Sequence, residues 1–283
     1  VKAQQLTDPI TFHGEGAVWF PGVGLKCVDM LAGDVLSFGF DGSISRLATG
    51  SPVAAVVRPR LGGGQLIVTE REFTLWSDAG EREWASESLL PSDGSLRFNE
   101  GGCDPLGRML CGSMAYSAEE GAGSVFRLDA DRSTSLVFDG TSISNGLGFT
   151  ADGSQMYYVD TPTGRVDVFD FVDGELRDRR PFVSIPEEVG QPDGLWVDAE
   201  NGVWVALYGG SGVRHYDASG ILADVIELPV TNVTSCTLGG DDLSTLFITT
   251  SRENVAEGEQ PLAGALFTLE VGVRGLPVLP FAG

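Results

Sequence analysis

A chain of 283 residues has room for one or two domains, and 18 Lys and Arg against 40 Asp and Glu give it a formal net charge of -22. That acid excess repels nucleic acid and anionic membrane surfaces and argues against any polyanion-binding role. No apolar run approaches the roughly 18 to 20 residues that cross a bilayer, and no basic-then-apolar leader opens the chain, so a soluble, cytoplasmic protein is expected. Cys27, Cys103, Cys111 and Cys236 show no CxxC spacing, which suits a reducing compartment. Cys103 and Cys111 share one hairpin, but a turn at Asp104–Gly107 is expected to set Arg108, not Cys111, opposite Cys103, so no disulfide is expected there.

In chain order, a short apolar strand, a Gly/Asp/Pro turn and a second apolar strand recur six times. The first strands are Gly16–Phe20, Ala54–Val57, Gly101–Pro105, Gly146–Phe149, Gly194–Val197 and Ser235–Leu238. The second are Leu25–Val28, Gln65–Val68, Met109–Cys111, Met156–Val159, Val203–Ala206 and Leu246–Ile248. Asp152-Gly153, Asn201-Gly202 and Pro105 with Gly107 supply the backbone angles that tight hairpins need. A third strand follows in each unit: Gly33–Phe38, Glu72–Trp76, Gly123–Leu128, Gly164–Phe169, Gly212–Tyr216 and Gly264–Leu269. The units recur about every 45 residues, the period of a four-stranded propeller blade. No long stretch has apolar residues at helical spacing, while β-branched and aromatic residues fill the strands. The expected fold is all-β, a six-bladed β-propeller with four-stranded antiparallel blades forming one domain over residues 1–283. A β-sandwich would need fewer strands and less regularity.

Equivalent positions on the innermost strands of a propeller converge on one rim of its central tunnel. Glu15, Asn145 and Asp193 each stand directly before a glycine at the same phase of their repeats, so they are expected to face one another. The fold itself does not demand them, because the second and sixth repeats carry Ala54-Ala55 and Thr234-Ser235 there. The third repeat offers Arg97, Phe98, Asn99 and Glu100 before its glycines. Oxygen donors crowded without a nearby lysine repel one another unless protons or a cation intervene, and a divalent metal is the natural resolution. A single Asn-Gly or Asp-Gly is more often a turn, Arg97 alone a surface ion pair and Asn99 alone a loop cap; the common phase of Glu15, Asn145 and Asp193 is what favours a site. His13, read as lying in a strand, and His215 are expected to be packing or surface residues, and two histidines cannot make a three-histidine zinc site. Asp129, Asp131 and Ser133 begin like a calcium loop, but Thr134 stands where glycine is required and Gly140 where the final glutamate is, so a plain turn is expected. No GxSxG elbow and no phosphate-binding glycine motif occurs.

The segments Gly14–Trp19, Arg97–Gly102, Asp104–Arg108, Gly112–Met114, Ile143–Leu147, Tyr158–Thr161 and Pro192–Leu195 together resemble the SMP-30/gluconolactonase/regucalcin-like family. The resemblance runs over nearly the whole chain and implies a six-bladed propeller that hydrolyses sugar lactones with one divalent cation in its tunnel. It implies Glu15, Asn145 and Asp193 as metal ligands and Arg97 and Asn99 as substrate contacts. In many animal members two glutamates follow the stretch matching Gly112–Ala115, the second facing substrate; Tyr116 and Ser117 stand there in this chain. Two carboxylates and an amide suit Ca2+, with Mg2+, Mn2+, Zn2+ or Fe2+ as alternatives. Asp193 is the expected general base, acting on water that attacks a lactone carbonyl. Two other readings stay open at this point: an ester or organophosphate hydrolase using the same metal, and a non-catalytic calcium-binding propeller.

Overall fold

The computed structural model describes residues Val1–Gly283. Strands beside the axis are apolar on both faces because each sheet packs against two neighbours, whereas strands at the periphery need only one buried face. Thus the inner strand Val233–Gly239 is buried throughout, while the peripheral Leu222–Glu227 buries only Ile226. The result is six four-stranded antiparallel sheets.

Blade 1 contains β2 (Gly14–Phe20), β3 (Gly24–Asp29), β4 (Asp34–Phe38) and β5 (Ile44–Ala48). Blade 2 contains β6 (Ala54–Pro59), β7 (Gln65–Thr69), β8 (Phe73–Trp76) and β9 (Arg82–Ala85). Blade 3 contains β10 (Leu96–Cys103), β11 (Met109–Ala115), β12 (Gly123–Leu128) and β13 (Thr134–Thr141). Blade 4 contains β14 (Ser144–Phe149), β15 (Gln155–Asp160), β16 (Arg165–Val172) and β17 (Glu175–Ser184). Blade 5 contains β18 (Gln191–Val197), β19 (Val203–Tyr208), β20 (Gly212–Tyr216) and β21 (Leu222–Glu227). Blade 6 takes β22 (Val233–Gly239), β23 (Thr245–Thr250) and β24 (Phe267–Glu270) from the end of the chain, and β1 (Gln4–Gln5) from its beginning. The pairs Gln4 with Thr268 and Gln5 with Phe267 therefore close the ring.

Each inner strand touches the next around the circle, from β2 through β6, β10, β14, β18 and β22 back to β2. The apolar core is divided accordingly into clusters between blades, one joining Val18, Val56, Phe73 and Phe98 and another joining Trp204, Val233 and Phe267. Full burial of such a side chain contributes about 1.5 to 3 kcal/mol, so the ring is stabilised by its blade-to-blade seams. All four cysteines are buried and unpaired. Cys103 pairs with Met109 rather than Arg108, because the loop is one residue shorter than expected, with Asp104 N donating to Arg108 O.

The two ends of the tunnel differ. Loops that follow the second strand of each blade lie at the end where the inner strands begin. At the other end the C-terminal segment crosses from blade 6 to blades 2 and 3, with Gly275 N bonded to Leu243 O, Phe281 N to Pro59 O and Ala282 N to Gly107 O, each at 2.8 Å. Phe281 is fully buried there.

Candidate metal and substrate site

In all six inner strands the pairing with the second strand slips near the start: between Glu15 and Val18, Ala54 and Val56, Phe98 and Gly101, Ser144 and Leu147, Pro192 and Leu195, and Val233 and Ser235. Asn99, Glu100, Asn145 and Asp193 fall inside these bulges and Glu15 at the edge of one. A bulge turns its side chains out of the regular alternation, which is how a sheet edge re-aims residues. The Asn-Gly and Asp-Gly pairs are thus bulges in strands, not turns. Their glycines permit close approach between blades: a Cβ on Gly146 would stand 2.3 Å from Leu195 N, and one on Gly194 would stand 2.8 Å from Thr234 O. Gly16 has the left-handed φ of +58°, which glycine adopts without strain.

The five residues singled out in the sequence are all buried at this rim. Glu15 Oε2 accepts from Gly16 N at 2.9 Å. Asn145 Nδ2 donates to Thr161 Oγ1 at 3.1 Å, and Thr161 in turn donates to Pro192 O at 2.8 Å, the residue before Asp193. Asn99 Nδ2 donates to Ser144 O at 2.9 Å, and Asn99 Oδ1 accepts from Arg97 Nη1 at 2.6 Å. Arg97 Nη1 also meets Met30 Sδ at 3.1 Å, so blades 1, 3 and 4 are tied together through Arg97 and Asn99.

The electrostatics are those of crowded acid. Burial, then Asp193, then Glu100 push the Glu15 carboxyl well above its ordinary range. Asp193 is raised first by burial and then by Glu100, against the pull of Arg97. Glu100, at 4% exposed, is pushed up to about 7 by burial, with Arg58 opposing. Burial lowers the Arg97 pKa, an effect countered by Tyr116, Glu253, Glu15 and Asp193. Asn145 Oδ1 and Glu100 Oε2 are among the buried oxygens that have no partner in the protein. Unpartnered acceptors beside carboxylates are what a hard cation would satisfy. Three His, Cys, Asp or Glu side chains do not converge as a ligand set, so a cation held here would depend on the Asn145 carbonyl as well as on acid.

Several rim residues went unassigned in the sequence reading. Glu100 precedes Gly101 as Glu15 precedes Gly16, and that shared phase was its available signal. His13 precedes β2 rather than lying in it, forming an isolated bridge with Ser251; its Nδ1 lies 2.8 Å from Ser251 Oγ and 3.3 Å from Glu253 Oε2. Burial, then Arg97, lower its pKa to about 3, so it is a neutral hydrogen-bonding group. Tyr116 donates to Glu70 Oε1 at 2.7 Å, and its ring centroid is 5.8 Å from Arg97 Cζ. Ser117, Glu119 and Glu120 are exposed. His215 belongs to a separate buried cluster, with Nε2 3.0 Å from Asp198 Oδ2 and its ring stacked on Trp204 at 4.0 Å. The stretch Asp129–Ser133 is a hairpin turn in which Asp131 Oδ1 accepts from Ser133 N and Oγ.

A six-bladed ring with an acidic, bulge-built rim at one tunnel mouth defines the class of protein. The chain matches the family described as SMP-30/Gluconolactonase/LRE-like region over residues 13–252, and it belongs to that family. Regucalcin of Sus scrofa is 33% identical over 285 residues, covering 95% of each chain. Pentonolactonase XacC of Haloferax volcanii is 34% identical over 283 residues, covering 96% of each. Among solved structures, a calcium-binding protein, regucalcin, from Agrobacterium tumefaciens superposes with a TM-score of 0.91 at 26% identity, covering 99% of this chain and 97% of that one.

Proposed function

We propose that the protein is a metal-dependent hydrolase that opens the ester ring of a sugar lactone to the aldonic acid. The observation that carries this reading is the pairing of two carboxylates, Glu15 and Asp193, and the unpartnered amide oxygen of Asn145 with a buried Arg97 and Asn99 on the same rim. A relative named as a pentonolactonase supports the substrate class. Glu15, Asn145 and Asp193 would hold the cation, with Ca2+ favoured by an all-oxygen set that includes an amide, and Mg2+ or Mn2+ as alternatives. When bound, the cation supplies positive charge against which a lactone carbonyl is polarised.

The protein's own groups do the rest. Arg97 keeps Nε and Nη2 free of protein partners while Nη1 is fixed by Asn99, Phe98 O and Met30, so its outer edge is oriented for ring and hydroxyl oxygens. Asn99 sets that orientation and is itself held by Ser144 O. Asp193, on the same rim, would take the proton from the attacking water as general base. The reading takes residues 1–283 as one domain in a reducing, cytoplasmic compartment.

Asp193→Asn tests it. The variant keeps a coordinating oxygen and loses the base, so lactone turnover should fall about 10²- to 10⁴-fold even with the cation saturating. Turnover near wild type in the saturated variant would remove Asp193 from the mechanism. A relative described as a calcium-binding protein favours the alternative of ion binding without turnover; sound binding of a cation with no hydrolysis across a panel of aldonolactones and a phosphotriester would establish that instead.

A further inference from the structure

The opposite end of the tunnel holds a cavity of about 370 Å³, a size suited to a small organic ligand. Its walls are the far ends of inner strands, including Leu147, Phe149 and Trp196, and its cover is the C-terminal strap Leu276–Pro280. The strap is anchored on either side by Gly275 and Phe281, but Leu276–Pro280 make no backbone-to-backbone hydrogen bond. Pro277 and Pro280 have no N–H to offer. Apolar contact alone holds the middle, with Leu276 against the seam of blades 4 and 5 and Val278 and Leu279 against that of blades 1 to 3. Such a cover can lift without breaking a ladder.

The same cavity is lined by Arg58, which is only 5% exposed. Its Nη1 donates to Val57 O at 2.8 Å and its Nη2 to Gly101 O at 2.6 Å. No carboxylate forms an ion pair with it, although Glu100 is near enough to act on it electrostatically. A buried cation with only carbonyl partners is costly and lacks an anion. Trp196 adds a buried Nε1–H with no acceptor. An apolar chamber whose one charged lining residue is an arginine with no ion-pair partner has the complement of a fatty carboxylate, not of a polyhydroxylated sugar acid.

We propose that this chamber is a second binding site, separate from the acidic rim, for a medium-chain aliphatic monocarboxylate. The carboxylate sits on Arg58, and the chain lies against Leu147, Phe149 and the underside of the strap. Octanoate titrated into chelated protein, followed by calorimetry and tryptophan fluorescence, should bind saturably at one site per chain. Its neutral isostere octanamide should bind at least about tenfold more weakly, since charge-assisted hydrogen bonds are the stronger kind. Arg58→Met should erase that preference, and Val278→Phe, which adds bulk to the chamber wall and keeps Arg58, should abolish binding of both. Gluconate should not compete. Absence of saturable binding at millimolar octanoate, equal affinity for acid and amide, unimpaired binding by Val278→Phe, or displacement by gluconate would each overturn the proposal. If Arg58→Met does not fold, the amide comparison and Val278→Phe decide it.

Discussion

Replacing Glu100 by glutamine should change how the metal-free protein responds to pH. In the folded chain Glu100 keeps its proton up to about 7, against an ordinary value of 4.5. Unfolding between those values releases a proton, so the stability associated with this group is complete below 4.5 and is lost as pH rises through about 7. At about 1.36 kcal/mol per pH unit of displacement, the loss is on the order of 3 kcal/mol. His13 acts in the opposite sense: its pKa is lowered from 6.5 to about 3, so the stability it associates with folding is lost as pH falls below 6.5. The difference between Glu100→Gln and wild type, measured by urea unfolding in chelator at pH 5 and pH 8, isolates Glu100. The variant should be more stable than wild type at pH 8 by about 3 kcal/mol and nearly equal to it at pH 5. Added Ca2+ should narrow the gap at pH 8 by stabilising wild type. A pH-independent difference, or a variant less stable at pH 8, would refute the picture of an acid cluster kept apart from its charge by burial.

Arg97→Ala and Asn99→Ala should each lower lactone turnover while leaving cation affinity by calorimetry largely intact, and their 2.6 Å bond predicts that the double variant loses less than the sum. Gly146→Ala should destabilise by about 1 to 3 kcal/mol in urea and weaken the cation, because its Cβ would meet Leu195 N at 2.3 Å. Asp198→Ala, removing an acceptor that is fully buried and bonded to Trp204 Nε1 and His215 Nε2, should cost about 3 to 5 kcal/mol without changing turnover per folded molecule. His215, raised chiefly against its burial by the hydrogen bonds to Asp198 and Asp224, should stabilise most below 6.5 and lose that contribution as pH rises through its higher folded value, a dependence absent in His215→Phe.

The blade pattern was legible because both-face burial writes continuous apolar runs such as Val203–Ala206 at regular intervals. The phase of Glu15, Asn145 and Asp193 was legible for the same reason, since repetition marks equivalent positions. Their local structure was not, because Asn-Gly reads as a turn until a neighbouring strand is seen pressing on the glycine. Glu100 was overshadowed by Arg97 and Asn99 beside it. His13 and Glu253 lie outside the strands in segments that carry no periodicity, and Tyr208, at the end of β19, meets Glu253 only across the seam between blades 5 and 6. Two residues, Gln4 and Gln5, make the closing strand, too short a segment to register as one. The strap Leu276–Pro280 has no ladder partner, so nothing in its sequence shows that it spans the tunnel.

The measurement that bears most directly on the central claim is lactone hydrolysis by the chelated protein, followed as acid release from an aldonolactone and repeated after reloading with single divalent ions. Loss of turnover on chelation with an unchanged fold, and its return with Ca2+, Mg2+ or Mn2+, is the expected result, because the crowded buried carboxylates of Glu15 and Asp193 beside the unpartnered Asn145 Oδ1 call for a cation. Full turnover after verified removal of the metal would contradict it.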